Sequence, residues 1–249
     1  NSKFMNCTSA ASMWEQMSLA YEYGVDRLWV LNVGDLKPME YPLSLFLDMA
    51  WNINSVSAST IGSHYKAWLC RQFGKEAGEK LFPVMHEFYR LCGQRKPEFM
   101  GWTQVELNKA VYDRGLSPVK HTQFSTSAFG NEFDRYMERY ADVCQVVKEV
   151  EKTIRPELAD AYFAAIKYPV LAAAAHATKI LEAQRARQIA NGSTLKDINK
   201  TKSDICIAAA KSQKAYQEIR TLTEYYNKTM AGGKWNLSMN MQPRDLPVF

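Results

Sequence analysis

Residues 27–42 read Arg27-Leu-Trp-Val-Leu-Asn-Val-Gly-Asp-Leu-Lys-Pro-Met-Glu-Tyr-Pro42, an apolar run that ends abruptly in polar residues. Short apolar runs bounded by turn residues are typical of strands that are covered on both faces. The sequence therefore predicts a buried strand from Leu28 to Leu31.

A helical pattern comes just before this run. Ser9 can cap the helix, Met13 and Met17 are spaced along one face, and Gly24 can end it. A helix, then a buried strand, then polar residues form one unit of an α/β barrel or a doubly wound sheet. Nothing after the run could supply a second strand, so we expect the chain to begin inside a domain.

After Pro42 the apolar spacing becomes helical and stays helical. Residues 43–51, 64–73 and 76–91 show this spacing, and three longer patterns begin near Asn131, Pro156 and Asp197. Pro169 predicts a kink in the second long pattern. Long helices joined by short loops form antiparallel bundles. We therefore predict a mainly α fold, an antiparallel helical bundle preceded by one helix–strand unit and followed by a C-terminal strap.

Four polar residues follow the predicted strand: Asn32, Asp35, Lys37 and Glu40. Asparagine and lysine side chains can hold sugar hydroxyls or a carboxylate, and a carboxylic acid can transfer a proton. The alternative is that Asn32 and Asp35 satisfy backbone groups in a tight turn. The residues alone leave these two interpretations evenly balanced.

Aromatic residues near the C-terminus offer a second candidate site. Tyr225, Tyr226 and Trp235 could form a platform on which a sugar ring stacks. Residues of this kind more often cover a helical bundle, so this platform is the less favoured of the two interpretations.

Composition excludes several classes of function. The chain has a net charge of +5 at pH 7, but its cations are scattered among acids, which argues against nucleic-acid binding. The five cysteines form no C-x-x-C pair and the four histidines are dispersed, so we expect no metal site. The sequence has no phosphate loop and no dinucleotide fingerprint, and we expect no cofactor. We also expect no membrane span, and residues 1–10 are not a signal peptide.

The motifs taken together resemble glycoside hydrolase family 115, the xylan α-1,2-glucuronidases. They occur in the family's order and span nearly the whole chain. The resemblance rests on Met13-Trp-Glu-Gln-Met17, Ala20-Tyr-Glu-Tyr-Gly24, Trp29 to Pro42, Phe46-Leu-Asp-Met-Ala-Trp-Asn52, Arg95-Lys-Pro-Glu98, Tyr168-Pro-Val170, Thr223-Glu-Tyr-Tyr-Asn227 and Gly232-Gly-Lys-Trp235.

The resemblance implies a truncated (β/α)8 barrel at residues 1–52, whose last strand is residues 28–31, and a helical bundle domain at residues 53–249. It places Asn32 and Asp35 near the substrate, with Lys37 and Glu40 as further substrate-binding candidates. Such enzymes remove glucuronic acid or its 4-O-methyl ether from xylan with inversion, which needs two carboxyl groups roughly 6.5–9.5 Å apart. The resemblance does not identify this catalytic acid and base.

The resulting prediction is a fragment of an α-glucuronidase that acts on glucuronoxylan, with the fragment inactive by itself. Its expected partners are the barrel region that precedes it and, in a homodimer, a second copy. The resemblance implies a secreted or periplasmic protein. The alternative is a non-enzymatic helical adaptor that binds a protein partner, although such an adaptor should not begin with a helix and a lone strand.

Overall fold

The computed structural model describes residues 6–33, 36–37, 39–103, 121–192 and 198–240, and these are mostly helical. This confirms the mainly α prediction. The α-helices are α1 (Ala10–Glu22), α2 (Glu40–Trp51), α3 (Ile61–Phe73), α4 (Lys75–Gln94), α5 (Glu132–Glu151), α6 (Ala159–Tyr162), α7 (Tyr168–Gly192) and α8 (Ile198–Glu224).

The predicted strand is absent from this structure. Residues 28–33 are irregular, none of the described residues forms a strand, and Leu28 and Val30 are 77% and 83% exposed. A strand is held by hydrogen bonds to a neighbouring strand, and no described segment offers one. The expected helix–strand unit is therefore α1, capped by Ser9 as predicted, followed by an exposed segment. The domain boundary at residues 52 and 53 stays a prediction.

Helix α7 lies at the centre of the bundle. Its apolar residues point to all sides and are buried, as expected for a helix that is surrounded by others. Helices α5 and α8 cover it. Ala175 of α7 packs with Ala215 and Ile219 of α8, where the small side chains let the two backbones come close.

The sequence predicts no membrane span, but one helical run among the described residues meets the length and composition criteria for one. The helical run Pro156–Gly192, which includes α6 and α7, is long and apolar enough to cross a bilayer. However, 61% of its apolar window is buried inside the bundle, as in the core helix of a folded domain.

Two π-helical segments lie side by side. Phe163–Lys167 joins α6 to α7, and Tyr225–Thr229 extends α8. The ring centroids of Phe163 and Tyr225 are 4.5 Å apart. The first segment occupies the place where Pro169 predicts a kink, because proline lacks the N–H that an α-helical turn would use there.

Helices α3 and α4 meet at a very close backbone contact. Gly74, with φ +91°, turns the chain between them, and Gly78 then faces the end of α3. A Cβ on Gly78 would lie 2.5 Å from the backbone nitrogen of Cys70. This position therefore requires glycine.

We predict that Gly78→Ala lowers the free energy of unfolding by about 1–3 kcal/mol, since the backbone must shift to admit the methyl group. Gly93→Ala in the same helix is the matched control, because nothing lies within 4 Å of its added Cβ. It should raise stability, by up to about 1 kcal/mol, through helix propensity. Urea unfolding checks both, and equal effects would contradict the close contact.

Arg185 of α7 joins α5 to α7 through its guanidinium group. Its Nη2 donates a hydrogen bond to Oδ1 of Asp134, and its Nε lies 3.2 Å from Oε2 of Glu182. The hydrogen bond from Arg185 holds the pKa of Asp134 below its ordinary value, and Asn131 contributes in the same direction. The ionised form of Asp134 is therefore favoured in the folded protein.

This lowered pKa gives a stability contribution that is fully present above about pH 3.9, the ordinary pKa of an aspartate. It is lost as the pH falls further, through the lower pKa of the folded protein. We predict that Asp134→Asn costs about 1 kcal/mol at pH 7 and less at acidic pH. Urea unfolding across this pH range tests it, with exposed Asp142→Asn on the same helix as control. A difference that stays constant with pH would contradict this origin.

Candidate functional site

The polar cluster predicted from the sequence lies at the start of α2. Glu40 is the first residue of that helix, where a negative charge is favoured by the helix dipole. Lys37 donates a hydrogen bond from Nζ to Oε1 of Glu40 at 2.6 Å. Both side chains are partly exposed, at 27% and 29%, so they remain accessible to a ligand.

The C-terminal strap brings Trp235 to this cluster. Nζ of Lys37 lies 5.6 Å from the centroid of the Trp235 ring, and Nζ of Lys234 lies 5.1 Å from it. Ammonium groups at this distance are attracted by the ring. We call Lys37, Glu40, Lys234 and Trp235 the α2 corner.

Hydrogen bonds fix the strap that carries Trp235. The side-chain amide of Asn227 donates to the carbonyl oxygen of Met239 at 2.8 Å and accepts from its N–H at 3.0 Å. The N–H of Ala231 donates to Oδ2 of Asp160 at 2.9 Å. Ala231 and Gly232 have φ of 50° and 64°, which turns the chain sharply after α8. The position of Trp235 is thus set by the bundle.

The charges of the α2 corner suit an anionic polar ligand. Lys37 and Lys234 supply two positive charges, and Glu40 supplies one negative charge. Oε2 of Glu40 is buried and has no hydrogen-bond partner among the described residues. The corner therefore offers both a cationic surface and an acceptor that a ligand hydroxyl can fill.

The other predicted site residues differ in outcome. Asn32 is exposed on the irregular segment, and Asp35 lies outside the described residues, so its role stays a prediction. Tyr226 is fully buried against Tyr168 at a ring distance of 4.9 Å. Tyr226 therefore belongs to the core, as the favoured interpretation expects, and the three residues do not form one exposed platform.

A hydrogen-bonded chain next to the corner was missed by the sequence interpretation. The hydroxyl of Tyr41 lies 3.3 Å from Nδ1 of His64, and Nε2 of His64 lies 3.1 Å from Oδ2 of Asp48. Burial raises the pKa of Tyr41 well above its ordinary value, so its hydroxyl stays protonated within this hydrogen bond to His64. The seven-residue spacing of Tyr41 and Asp48 on α2 was a usable signal, since it places them on one helix face.

The two hydrogen bonds, Tyr41 to His64 and His64 to Asp48, orient the imidazole ring of His64 and hold α2 against α3. The rings of Tyr41 and Tyr65 also pack at 4.1 Å across the same junction. Among the described residues, no group of histidine, cysteine and acidic side chains could hold a metal ion.

Comparison with known proteins identifies relatives of the chain. The family model described as glycosyl hydrolase family 115 matches residues 1–99. The comparison with curated proteins found no match. Among solved structures, the chain is similar to a family GH115 4-O-methyl-alpha-glucuronidase, BtGH115A, with specificity for decorated arabinogalactans. The two are 35% identical with a TM-score of 0.83, and the match covers 100% of this chain and 29% of that protein.

Proposed function

The chain belongs to glycosyl hydrolase family 115, and from this premise we propose that it forms part of an enzyme that removes glucuronic acid or its 4-O-methyl ether from a polysaccharide. One observation carries the proposal. The whole chain superposes on a 4-O-methyl-alpha-glucuronidase with a TM-score of 0.83 at 35% identity.

The proposed substrate is defined by its glucuronic acid group. The sequence resemblance points to glucuronoxylan, and the name of the similar structure points to decorated arabinogalactans. Both can carry the group that is removed, so we take the uronic acid as the recognised part. A polysaccharide substrate of this size also supports a secreted or periplasmic location.

Within such an enzyme, we propose that residues 19–51 pack against the preceding barrel region. The chain spans only 29% of the length of the similar structure. Most exposed large apolar side chains among the described residues lie between Leu19 and Trp51, and Trp51 itself is 93% exposed. An apolar surface of this kind marks a contact with another protein part. A second copy in a homodimer or a separate protein partner would compete for the same surface.

We propose that the α2 corner lies at the rim of the substrate cleft. Lys37 and Lys234 would attract the carboxylate of a glucuronic acid, since hydrogen bonds between ammonium and carboxylate groups are strong. Trp235 adds a flat apolar face beside them. This role is positioning of substrate; the acid and base for hydrolysis would come from the preceding region.

The first test is activity. A longer protein that carries the upstream coding sequence should release glucuronic acid from glucuronoxylan or from a uronic-acid-bearing arabinogalactan, and the 249-residue chain alone should release none. Product chromatography measures both, and light scattering of the longer protein identifies a dimer. Failure of a folded longer protein on both substrates would overturn the glucuronidase proposal. Turnover by the isolated chain would overturn its dependence on the barrel.

The second test concerns the α2 corner in the longer protein. Lys37→Met should lower kcat/KM by about tenfold, mainly through KM, because a hydrogen bond to a charged group contributes about 1.5–3 kcal/mol. Exposed Lys152→Met is the control and should leave KM unchanged. If Lys37→Met lowers Tm but leaves KM unchanged, then Lys37 only supports Glu40 and Trp235.

A further inference from the structure

A cleft of about 360 Å³ lies between α5, α7 and α8. This volume falls within the range of small-molecule sites, roughly 300–1,000 Å³. Ala208 lines it near the start of α8, whereas the strap with Trp235 follows the end of that helix at Glu224. At about 1.5 Å per residue, these two points on α8 are roughly 24 Å apart. The cleft is thus separate from the α2 corner.

A buried carboxylate forms part of the cleft lining. Glu182 is only 3% exposed, and its Oε1 lies 3.7 Å from Nζ of Lys211. Its Oε2 lies 3.2 Å from Nε of Arg185, but neither atom makes a hydrogen bond there. A buried carboxylate is stabilised by each further donor that it gains. Glu182 therefore retains an unfilled acceptor in the lining.

The cleft has an excess of negative charge. Its lining carries four carboxylates and two cations, a net charge of −2. Asp134 is bonded to Arg185, but Glu138 and Asp204 are exposed on the rim, with no ion pair to another described residue. An excess of one sign of charge in a cleft attracts ligands of the opposite sign. The ligand that this lining favours is a cation.

Apolar side chains form the other part of the lining. Met137 comes from α5, Ile189 from α7 and Ile207 from α8, and Ile207 is 51% exposed. Apolar surface beside a buried acid suits a ligand with a hydrocarbon body and a charged end. A hydrated metal ion would leave these side chains uncovered.

We propose that this cleft binds an alkylammonium or alkylguanidinium group, whose cationic end reaches Oε2 of Glu182 and whose hydrocarbon body covers Met137 and Ile207. The same group can come from a free amine or from a lysine or arginine side chain. The proposal stands apart from the glucuronidase function and does not need it.

The test is a titration of the 249-residue chain with hexylammonium, followed by methyl NMR of its isoleucine and methionine residues. We expect saturable shifts confined to Met137, Ile189 and Ile207, which lose affinity as salt is added. Hexanol and hexanoate are matched probes with the same hydrocarbon body, and each should bind at least tenfold more weakly. Equal binding of hexanol, or no saturable shift, would overturn the proposal.

Variants identify the acid responsible. Glu182→Gln should weaken hexylammonium binding about tenfold or more, while exposed Glu224→Gln on α8 serves as control and should leave it unchanged. If Glu182→Gln does not fold, the rim variant Glu138→Gln with Asp204→Asn replaces it, since both side chains are exposed. Unchanged affinity in the folded variant would refute the role of these carboxylates.

Short peptides separate the two sources of the ligand. Acetyl-Ala-Lys-Leu-amide is compared with the same peptide carrying norleucine in place of lysine. Competition with hexylammonium by the lysine peptide alone supports a protein segment as the natural ligand. Binding of hexylammonium without competition by either peptide supports a free amine. Competition by the norleucine peptide at equal strength would overturn the proposed cation site.

Discussion

The packing of α7 is the constraint on which the bundle depends. The first two thirds of α7, residues 168–184, are mostly buried, and a helix with this much apolar surface is stable in water only when neighbours such as α5 and α8 cover it. Small residues such as Ala175 and Ala215 allow this cover to be close. Aromatic side chains fill the space at the start of α7, where the rings of Tyr168 and Tyr226 pack against each other. Because the core is closely packed, most polar side chains that could bind a ligand lie at the surface of the bundle.

The N-terminal region contrasts with this saturated core. Helix α1 contains no buried residue, and apolar side chains such as Tyr23, Val30 and Trp51 lie on the surface. The described part of the chain leaves these apolar residues uncovered. The described residues thus combine a closely packed core with an exposed apolar N-terminal region, and the chain spans 29% of the length of the similar structure.

Local patterns predicted the helices because helix formation depends on neighbours in sequence. Buried Leu81, Met85 and Phe88 of α4 follow the 3.6-residue period. The apolar run at residues 28–31 was a sound pattern but a wrong prediction for this structure, because a strand needs partners that no local pattern contains. The ion pair between Lys37 and Glu40 could be predicted from the sequence, since the two residues are three positions apart. Trp235 was not assigned to that cluster, because only the folded bundle brings the strap back to it.

The two π segments have a consequence for the register of the chain. Each turn of a π-helix takes in one residue more than an α-helical turn, so it rotates everything that follows by about 100°. The segment Tyr225–Thr229 ends the long C-terminal helix and is followed by the short 3-10 turn Met230–Gly233, and its aromatic rings pack against Phe163 of the other π segment. The number of residues in this π-helical turn therefore sets the direction in which the chain, and Trp235 with it, leaves the bundle. Loss of a single residue from this turn would aim the indole away from Lys37 without disturbing any helix before it.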